Sequence, residues 1–286
     1  MPFDLVSGDA VCRVHPEMGA SLSCWRIGEQ RLLRDADPDA LLRGDPFGMS
    51  NFPLIPFSNR IGNARFNWHG RTFRLAANAP GEPHALHGVG FEREWDVEAG
   101  AADRLTLRLD HPGDDGWPFA FTCWHDIVLT PDSLTLTLRA RNDAPQAVPM
   151  GGGQHPYFDR EGATLRFAAD AIWEKAEDGL PRRKRDLTTN ECFDPAALVE
   201  GHDLDHGYQG WGGQAEIMWT NRPWNLVMSA SDTLRNVVLF IPPRREFFCL
   251  EPVSHPVDAL SLGIPMHVVE PGAIWSCQTR FGATPA

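Results

Sequence analysis

The nine residues Ser133-Leu134-Thr135-Leu136-Thr137-Leu138-Arg139-Ala140-Arg141 alternate between polar and apolar types without a break. An extended backbone turns successive side chains to opposite faces, so a period of two marks a strand with one face in a core and the other in water. A Thr130-Pro131-Asp132 turn precedes it, and Arg104-Leu105-Thr106-Leu107-Arg108-Leu109 repeats the pattern. Thr164-Leu165-Arg166-Phe167 reads as a further strand, and the wholly apolar Val237-Val238-Leu239-Phe240-Ile241 reads as one covered on both faces. Breaks rich in Gly, Pro, Asn and Asp separate such segments, which is the signature of an antiparallel, all-β chain. Helical periodicity is scarce. Asp194-Pro195-Ala196-Ala197-Leu198-Val199 is predicted as a short helix, with Asp194 as N-cap and Pro195 in the first turn. The absence of a strand–helix–strand rhythm speaks against a Rossmann or TIM-barrel fold. With no internal repeat and no low-complexity linker, one domain over residues 1–286 is expected.

All-β sandwiches and barrels reach 286 residues undivided. The net charge of -12 argues against nucleic acid and against anionic membrane surfaces as partners. It also weighs against a phosphorylated substrate unless arginines are concentrated in the site. The one basic cluster is Arg182-Arg183-Lys184-Arg185. The six cysteines (Cys12, Cys24, Cys123, Cys192, Cys249, Cys277) form no C-x-x-C pair and read as buried reduced thiols. The first residues show no basic region followed by an apolar run, and no apolar segment is long enough to span a bilayer. A cytoplasmic protein without a signal peptide is expected.

Five stretches carry candidate chemistry. In Gly151-Gly152-Gly153-Gln154-His155-Pro156-Tyr157-Phe158, three glycines permit close approach of backbone or ligand, and Pro156 pushes His155 toward extended geometry at a strand end. A titratable ring with aromatic surface beside it suits a small polar ligand with one apolar face; the bland reading is a turn with a surface histidine. Phe52-Pro53-Leu54-Ile55-Pro56-Phe57 delivers Ser58-Asn59-Arg60-Ile61-Gly62-Asn63, where Arg60 either forks onto paired oxygens or satisfies loop carbonyls. In Pro83-His84-Ala85-Leu86-His87-Gly88 the histidines are metal ligands, hydrogen-bond donors to a sugar, or neither. Gly201-His202-Asp203-Leu204-Asp205-His206-Gly207-Tyr208 reads as a polar turn in which Asp205 accepts from substrate hydroxyls or merely from its own backbone. Trp211 and Trp219 nearby fit either a sugar face or a core. Lastly, Glu246-Phe247-Phe248-Cys249-Leu250-Glu251-Pro252 sets a carboxylate at the end of an apolar run. Burial raises such a carboxyl and nearby cations lower it, so Glu251 with His155 makes an acid/base pair.

In order along the chain, Asn59-Arg60-Ile61, Leu86-His87-Gly88, His155-Pro156-Tyr157-Phe158 and Leu250-Glu251-Pro252 resemble the sequence blocks of the aldose 1-epimerase (mutarotase) family. A weaker fifth block, Leu204-Asp205-His206, falls where that family has its substrate-binding aspartate. The resemblance implies a large antiparallel β-sandwich, the galactose mutarotase-like supersandwich, with its site in a cleft on one sheet. It also implies interconversion of the α and β anomers of a free aldose without cofactor or metal. Glu251 would take the proton of the C1 hydroxyl, His155 would protonate the ring oxygen, and Arg60, His87 and Asp205 would hold the sugar. The implied partner is a monosaccharide, the protein acting as monomer or homodimer. The approach Gly-Gly-Gly-Gln to the histidine departs from the Asn, Thr or Ser usual in galactose-type enzymes, and bears on which sugar is used.

Three other readings compete. A hexose-6-phosphate epimerase-like enzyme needs several cationic side chains around the phosphate, whereas only Arg60 stands out and Arg182 to Arg185 reads as a solvated loop. A non-catalytic carbohydrate-binding protein on the same fold has no need of a proton-transfer pair. A cupin-like metalloenzyme would bring His84, His87 and His155 together.

Overall fold

The computed structural model describes residues 1–79 and 81–286. The alternating segments form the strands expected of them, and these assemble into two large antiparallel sheets packed face to face. The first has nine strands, in the order Asp96–Ala101, Arg104–His111, Phe121–Thr130, Ser133–Asn142, Ile274–Pro285, Trp224–Ala230, Gln214–Trp219, Ala163–Phe167 and Phe193–Leu198. The second runs Pro181–Arg185, Ala171–Lys175, Leu204–Gln209, Asn236–Ile241, Phe247–Val253, Gly153–Gln154 and Pro53–Leu54, with Tyr157–Asp159 also pairing onto Phe247–Val253. A smaller sheet of Phe3–Ser7, Ala10–His15, Ser21–Ile27 and Gln30–Arg31 covers one side. Inner-face residues of both large sheets share one core: Leu165, Ile217, Met228 and Phe281 from the first meet Ile172, Tyr208, Leu239 and Leu250 from the second.

Strand Phe247–Val253 shows how alternation builds the site. Phe248 and Leu250 point into the main core, while Cys249 and Val253 belong to a second apolar cluster with Phe52, Leu54, Phe91, Tyr157 and Val238 on the other face. Glu251 shares that second face, between Cys249 and Val253. Along one edge of this strand, Gly153 lies opposite Val253 and Tyr157 opposite Cys249. A constant register therefore sets His155 opposite Glu251, and side chains so opposed on one face are immediate neighbours. The ladder is broken at that point. Pro156 has no N–H to offer, and His155 and Tyr157 donate instead to the carbonyls of Phe52 and Ser50, at 3.0 and 2.9 Å.

The glycine run is accounted for by close packing of the protein itself. A Cβ on Gly152 would lie 2.1 Å from the Leu54 carbonyl oxygen, and one on Gly153 would lie 2.0 Å from that of Pro252. None of the three has a positive φ. Close packing requires them, against strand backbone at Gly152 and Gly153 and against the Ser254 and His255 side chains at Gly151.

Four expectations need correction. Phe193–Leu198 is an edge strand paired with Ala163–Phe167, not a helix. Phe193 stacks on Phe167 in the core, with ring centroids 5.4 Å apart, and at a sheet edge the missing N–H of Pro195 costs little. Residues 204–209 form a strand between Ala171–Lys175 and Asn236–Ile241 and not a turn, because Tyr208 on this strand is fully buried. Arg182 to Arg185 lie on the edge strand Pro181–Arg185, where Arg183 and Arg185 pair with Glu174 and Glu191. All six cysteines are free, but Cys192 is exposed while Cys12, Cys123, Cys249 and Cys277 are buried. An unexpected α-helix, Pro38–Arg43, is capped by the Asp37 side chain and forms, with the turn at Pro46–Gly48, a wall beside the second sheet.

Candidate active site

The outer face of the second sheet floors a cleft of about 540 Å³, and it brings together Arg60, His87, His155, Asp205 and Glu251. His155 Nε2 lies 3.4 Å from Glu251 Oε1. Both residues are buried, at 6% and 2% exposure. Glu251 Oε2 and His155 Nδ1 have no hydrogen-bond partner among the described residues. Phe52 and Tyr157 stack on the imidazole, at 4.5 and 4.8 Å between centroids, and fix its plane. Burial pushes the Glu251 carboxyl well above the usual carboxylate range, and the Asp205 charge adds to this while Lys175 and Arg60 oppose it. Burial likewise pulls the His155 imidazole down to about 3, against its own backbone carbonyl and with the Arg34 charge. Both shifts favour uncharged forms, a protonated carboxyl beside a neutral imidazole.

His87 and Asn59 hold each other in place. Both adopt left-handed backbone conformations, with φ of 60° and 56°. The His87 N–H donates to the Asn59 carbonyl at 2.8 Å, and the Asn59 N–H donates to His87 Nδ1 at 3.1 Å. An accepting Nδ1 places the ring proton on Nε2, so His87 is available as a hydrogen-bond donor from that atom. Burial, with the charges of His155 and Arg60, keeps this ring well below its ordinary value and hence neutral. Gly88 is required by backbone and not by ligand, since a Cβ there would sit 2.1 Å from the Ile55 carbonyl oxygen. Arg60 forks, but onto protein: its Nη2 and Nε donate to the Glu82 carboxylate at 2.7 and 3.2 Å.

Asp205 is neither free nor turned on its own backbone. The pairing of Trp173 with Gly207 carries on to set Lys175 opposite Asp205, and the two form an ion pair at the cleft floor. Glu82 and Lys175 are thus partners of candidate site residues that sequence reasoning missed, and it also missed Arg34, Arg43 and Arg245, which line the cleft. No local motif marks them.

Other candidates fall outside. His84 accepts from the Asn63 N–H at 2.9 Å and contacts the Asp178 carbonyl at 3.0 Å through its other nitrogen, so backbone occupies both ring nitrogens. It does not converge with His87 and His155, and among the described residues no cluster of three metal-ligating side chains occurs. Gln154 points away from the cleft into the core, where its amide bridges Asn51 and His125 at 2.8 and 3.2 Å. Trp211 and Trp219 are core residues.

Comparison with known proteins identifies the family and the fold. The family model for aldose 1-epimerase matches residues 5–282. The uncharacterized protein YphB of Escherichia coli K12 is 31% identical over 218 residues, covering 73% of this chain and 74% of YphB. Galactose mutarotase of Mus musculus is 30% identical, over 78% of this chain and 75% of its own. Among solved structures, a putative aldose 1-epimerase from Escherichia coli K12 superposes with a TM-score of 0.93 at 26% identity, over 100% of this chain and 99% of that one. A galactose mutarotase-like protein from Clostridium acetobutylicum shares the fold, with a TM-score of 0.88 at 16% identity over 99% and 95% of the two chains. The chain belongs to the aldose 1-epimerase family.

Proposed function

We propose that the protein interconverts the α and β anomers of a free aldose, with Glu251 as general base and His155 as general acid. The observation that carries this reading is the buried apposition of Glu251 Oε1 and His155 Nε2 at 3.4 Å on the cleft floor. Such a contact lies just outside hydrogen-bond reach, as is usual for a catalytic pair before substrate tightens it. The pair needs one proton in total. Moving it from carboxyl to imidazole makes a carboxylate that can accept and an imidazolium that can donate.

Glu251 then takes the proton of the C1 hydroxyl as His155 gives its proton to the ring oxygen. The bond from C1 to the ring oxygen breaks, leaving an open-chain aldehyde. Rotation about C1–C2 presents the other carbonyl face, and the C5 hydroxyl attacks it. His155 recovers its proton from that hydroxyl while Glu251 returns its own to the oxygen on C1, so both residues end as they began. His87 Nε2 is positioned to donate to a sugar oxygen, and Asp205 to accept from hydroxyls at the cleft floor. Arg60, clamped by Glu82, offers its charge at the same wall.

The test is anomer exchange, by polarimetry or by saturation-transfer NMR at the anomeric protons, on freshly dissolved galactose, glucose and related aldoses. Acceleration of exchange that is lost in Glu251→Gln supports the reading. Sugar binding without acceleration of any aldose would replace it with a binding protein on the same fold.

A further inference from the structure

The acid/base reading leaves one end of the cleft without a task. Arg34 and Arg43 reach it from the wall of residues 34–48, and Arg245 reaches it from the turn before strand Phe247–Val253. Among the described residues none of the three makes an ion pair, unlike Arg60 and Lys175 at the other end. Arg34 is the most firmly held. Its guanidinium lies 4.2 Å from the Tyr157 ring centroid and 4.6 Å from that of Phe247, and Nη2 donates to the Met49 carbonyl at 2.7 Å. Its Nε is buried and has no partner among the described residues. Stacking and one carbonyl bond orient the fork without neutralising it. Asp37 and Asp45 share the wall, but each carboxylate accepts from a backbone N–H of its own turn, of Asp39 at 2.8 Å and Phe47 at 3.0 Å.

The position matters as much as the charge. Tyr157 pairs with Cys249, two residues along the strand from Glu251. That is about 7 Å at the rise of an antiparallel strand, close to the length of one sugar ring with its exocyclic carbon. On the proposed reaction, His155 protonates a ring oxygen bonded to C1 on one side and to C5 on the other. With C1 at Glu251, C5 and its exocyclic carbon fall on the His155 side, and His155 stacks on the ring that Arg34 covers.

We infer that this end of the cleft is an oxyanion subsite, so that the preferred substrates are aldoses carrying a negative group on the exocyclic carbon. The inference rests on the mutarotase reading for the direction of the sugar. A uronate carboxylate and a 6-phosphate share the chemistry, and both suit a planar guanidinium fork with further arginines around it.

The experiment compares kcat/KM for anomer exchange of galacturonate and glucuronate, of glucose 6-phosphate, and of galactose and glucose, in the wild type and in Arg34→Gln. At least one acidic sugar is expected to exceed its neutral counterpart tenfold or more. Loss of a charge-assisted pair should cut that acidic-to-neutral ratio roughly ten- to a hundredfold in Arg34→Gln. Arg245→Gln, at an exposed site where folding is not at stake, should lower the same ratio at least threefold. Whichever acidic class responds identifies the oxyanion. Neutral sugars turned over as well as both acidic classes, or a ratio unchanged in both variants, would overturn the subsite. The wider reading fails separately: if no sugar exchanges, calorimetric binding of the same sugars still decides the inference, which stands only if acidic sugars bind more tightly and lose that advantage in Arg34→Gln.

Discussion

Replacing Glu251 with Gln should make the protein slower and more stable, and the second effect should depend on pH. The amide matches the carboxyl in shape but cannot take a proton, so turnover is expected to fall by about two to four orders of magnitude, the usual worth of a general base. Stability follows from linkage. Glu251 binds its proton more tightly in the folded chain than in the unfolded one, where a glutamate titrates near 4.5. From pH 4.5 upward the folded state therefore holds more protons than the unfolded state, and stability falls as pH rises. His155 opposes this only below its unfolded value of 6.5, since above it both states are neutral at that ring. Above pH 6.5, up to the pH at which the folded Glu251 loses its proton, the slope from this pair belongs to Glu251 alone. Once ionised, its Oε2 is a buried acceptor with no partner among the described residues. Relieving such a group is worth about 1–3 kcal/mol. A chain of 286 residues has an unfolding entropy of about 0.6 kcal/mol per kelvin, so this corresponds to a rise of about 2–5 °C in Tm. Calorimetric scans of both proteins at pH 4.5 and pH 9 measure it, the His155 contribution being common to the two. A gap that stays constant with pH, or a variant less stable than the wild type at pH 9, would refute the argument that burial works against this carboxylate.

His155→Asn is expected to lower turnover by a comparable factor and to remove one limb of the pH–rate profile; a profile of unchanged shape would take His155 out of proton transfer. Lys175→Met removes a cation that holds the Glu251 carboxyl down and leaves Asp205, which pushes it up, uncompensated. The acid limb of kcat/KM should accordingly move to higher pH, and a shift to lower pH would contradict the assignment. Gly153→Ala forces a Cβ to 2.0 Å from the Pro252 carbonyl oxygen, against backbone that cannot swing away. The expected outcome is a loss of more than about 3 kcal/mol, read as a collapse in Tm or in soluble yield.

The strands were legible because their signal is local. Ser133 to Arg141 carries its own period, and the sheet only had to accept it. Glu251 was legible for a similar reason, since a carboxylate closing an apolar run has few places to go but inward. The helix expected at Asp194 failed because a good N-cap and a first-turn proline are weak local preferences, and burial of Phe193 against Phe167 outweighs them. The partners of the site residues were hidden for a different reason. Lys175 meets Asp205 only through strand register, across 30 residues of sequence, and Glu82 meets Arg60 across 22. Arg34 comes to the cleft through the path of a loop. Nothing in the neighbourhood of these residues along the chain distinguishes them from solvated charges.

Those hidden partners explain why burial, and not a neighbouring charge, dominates Glu251. Each ionic group acting on it is itself spoken for: Asp205 by Lys175, Arg60 by Glu82. A paired charge projects a weaker field than a lone one, because its partner supplies the opposite sign a few ångströms away. The cations lower the carboxyl and Asp205 raises it, leaving desolvation as the largest influence. Had Lys175 or Arg60 stood alone, its full field would stabilise the carboxylate and make it the weaker base that the proposed mechanism could least use. With Asp205 and no Lys175 on the cleft floor, Glu251 would hold its proton more tightly and, on the proposed mechanism, would act as base only at higher pH. The two ion pairs thus act on the carboxyl in opposite senses, and it lies 3.4 Å from His155 under the dominant influence of burial.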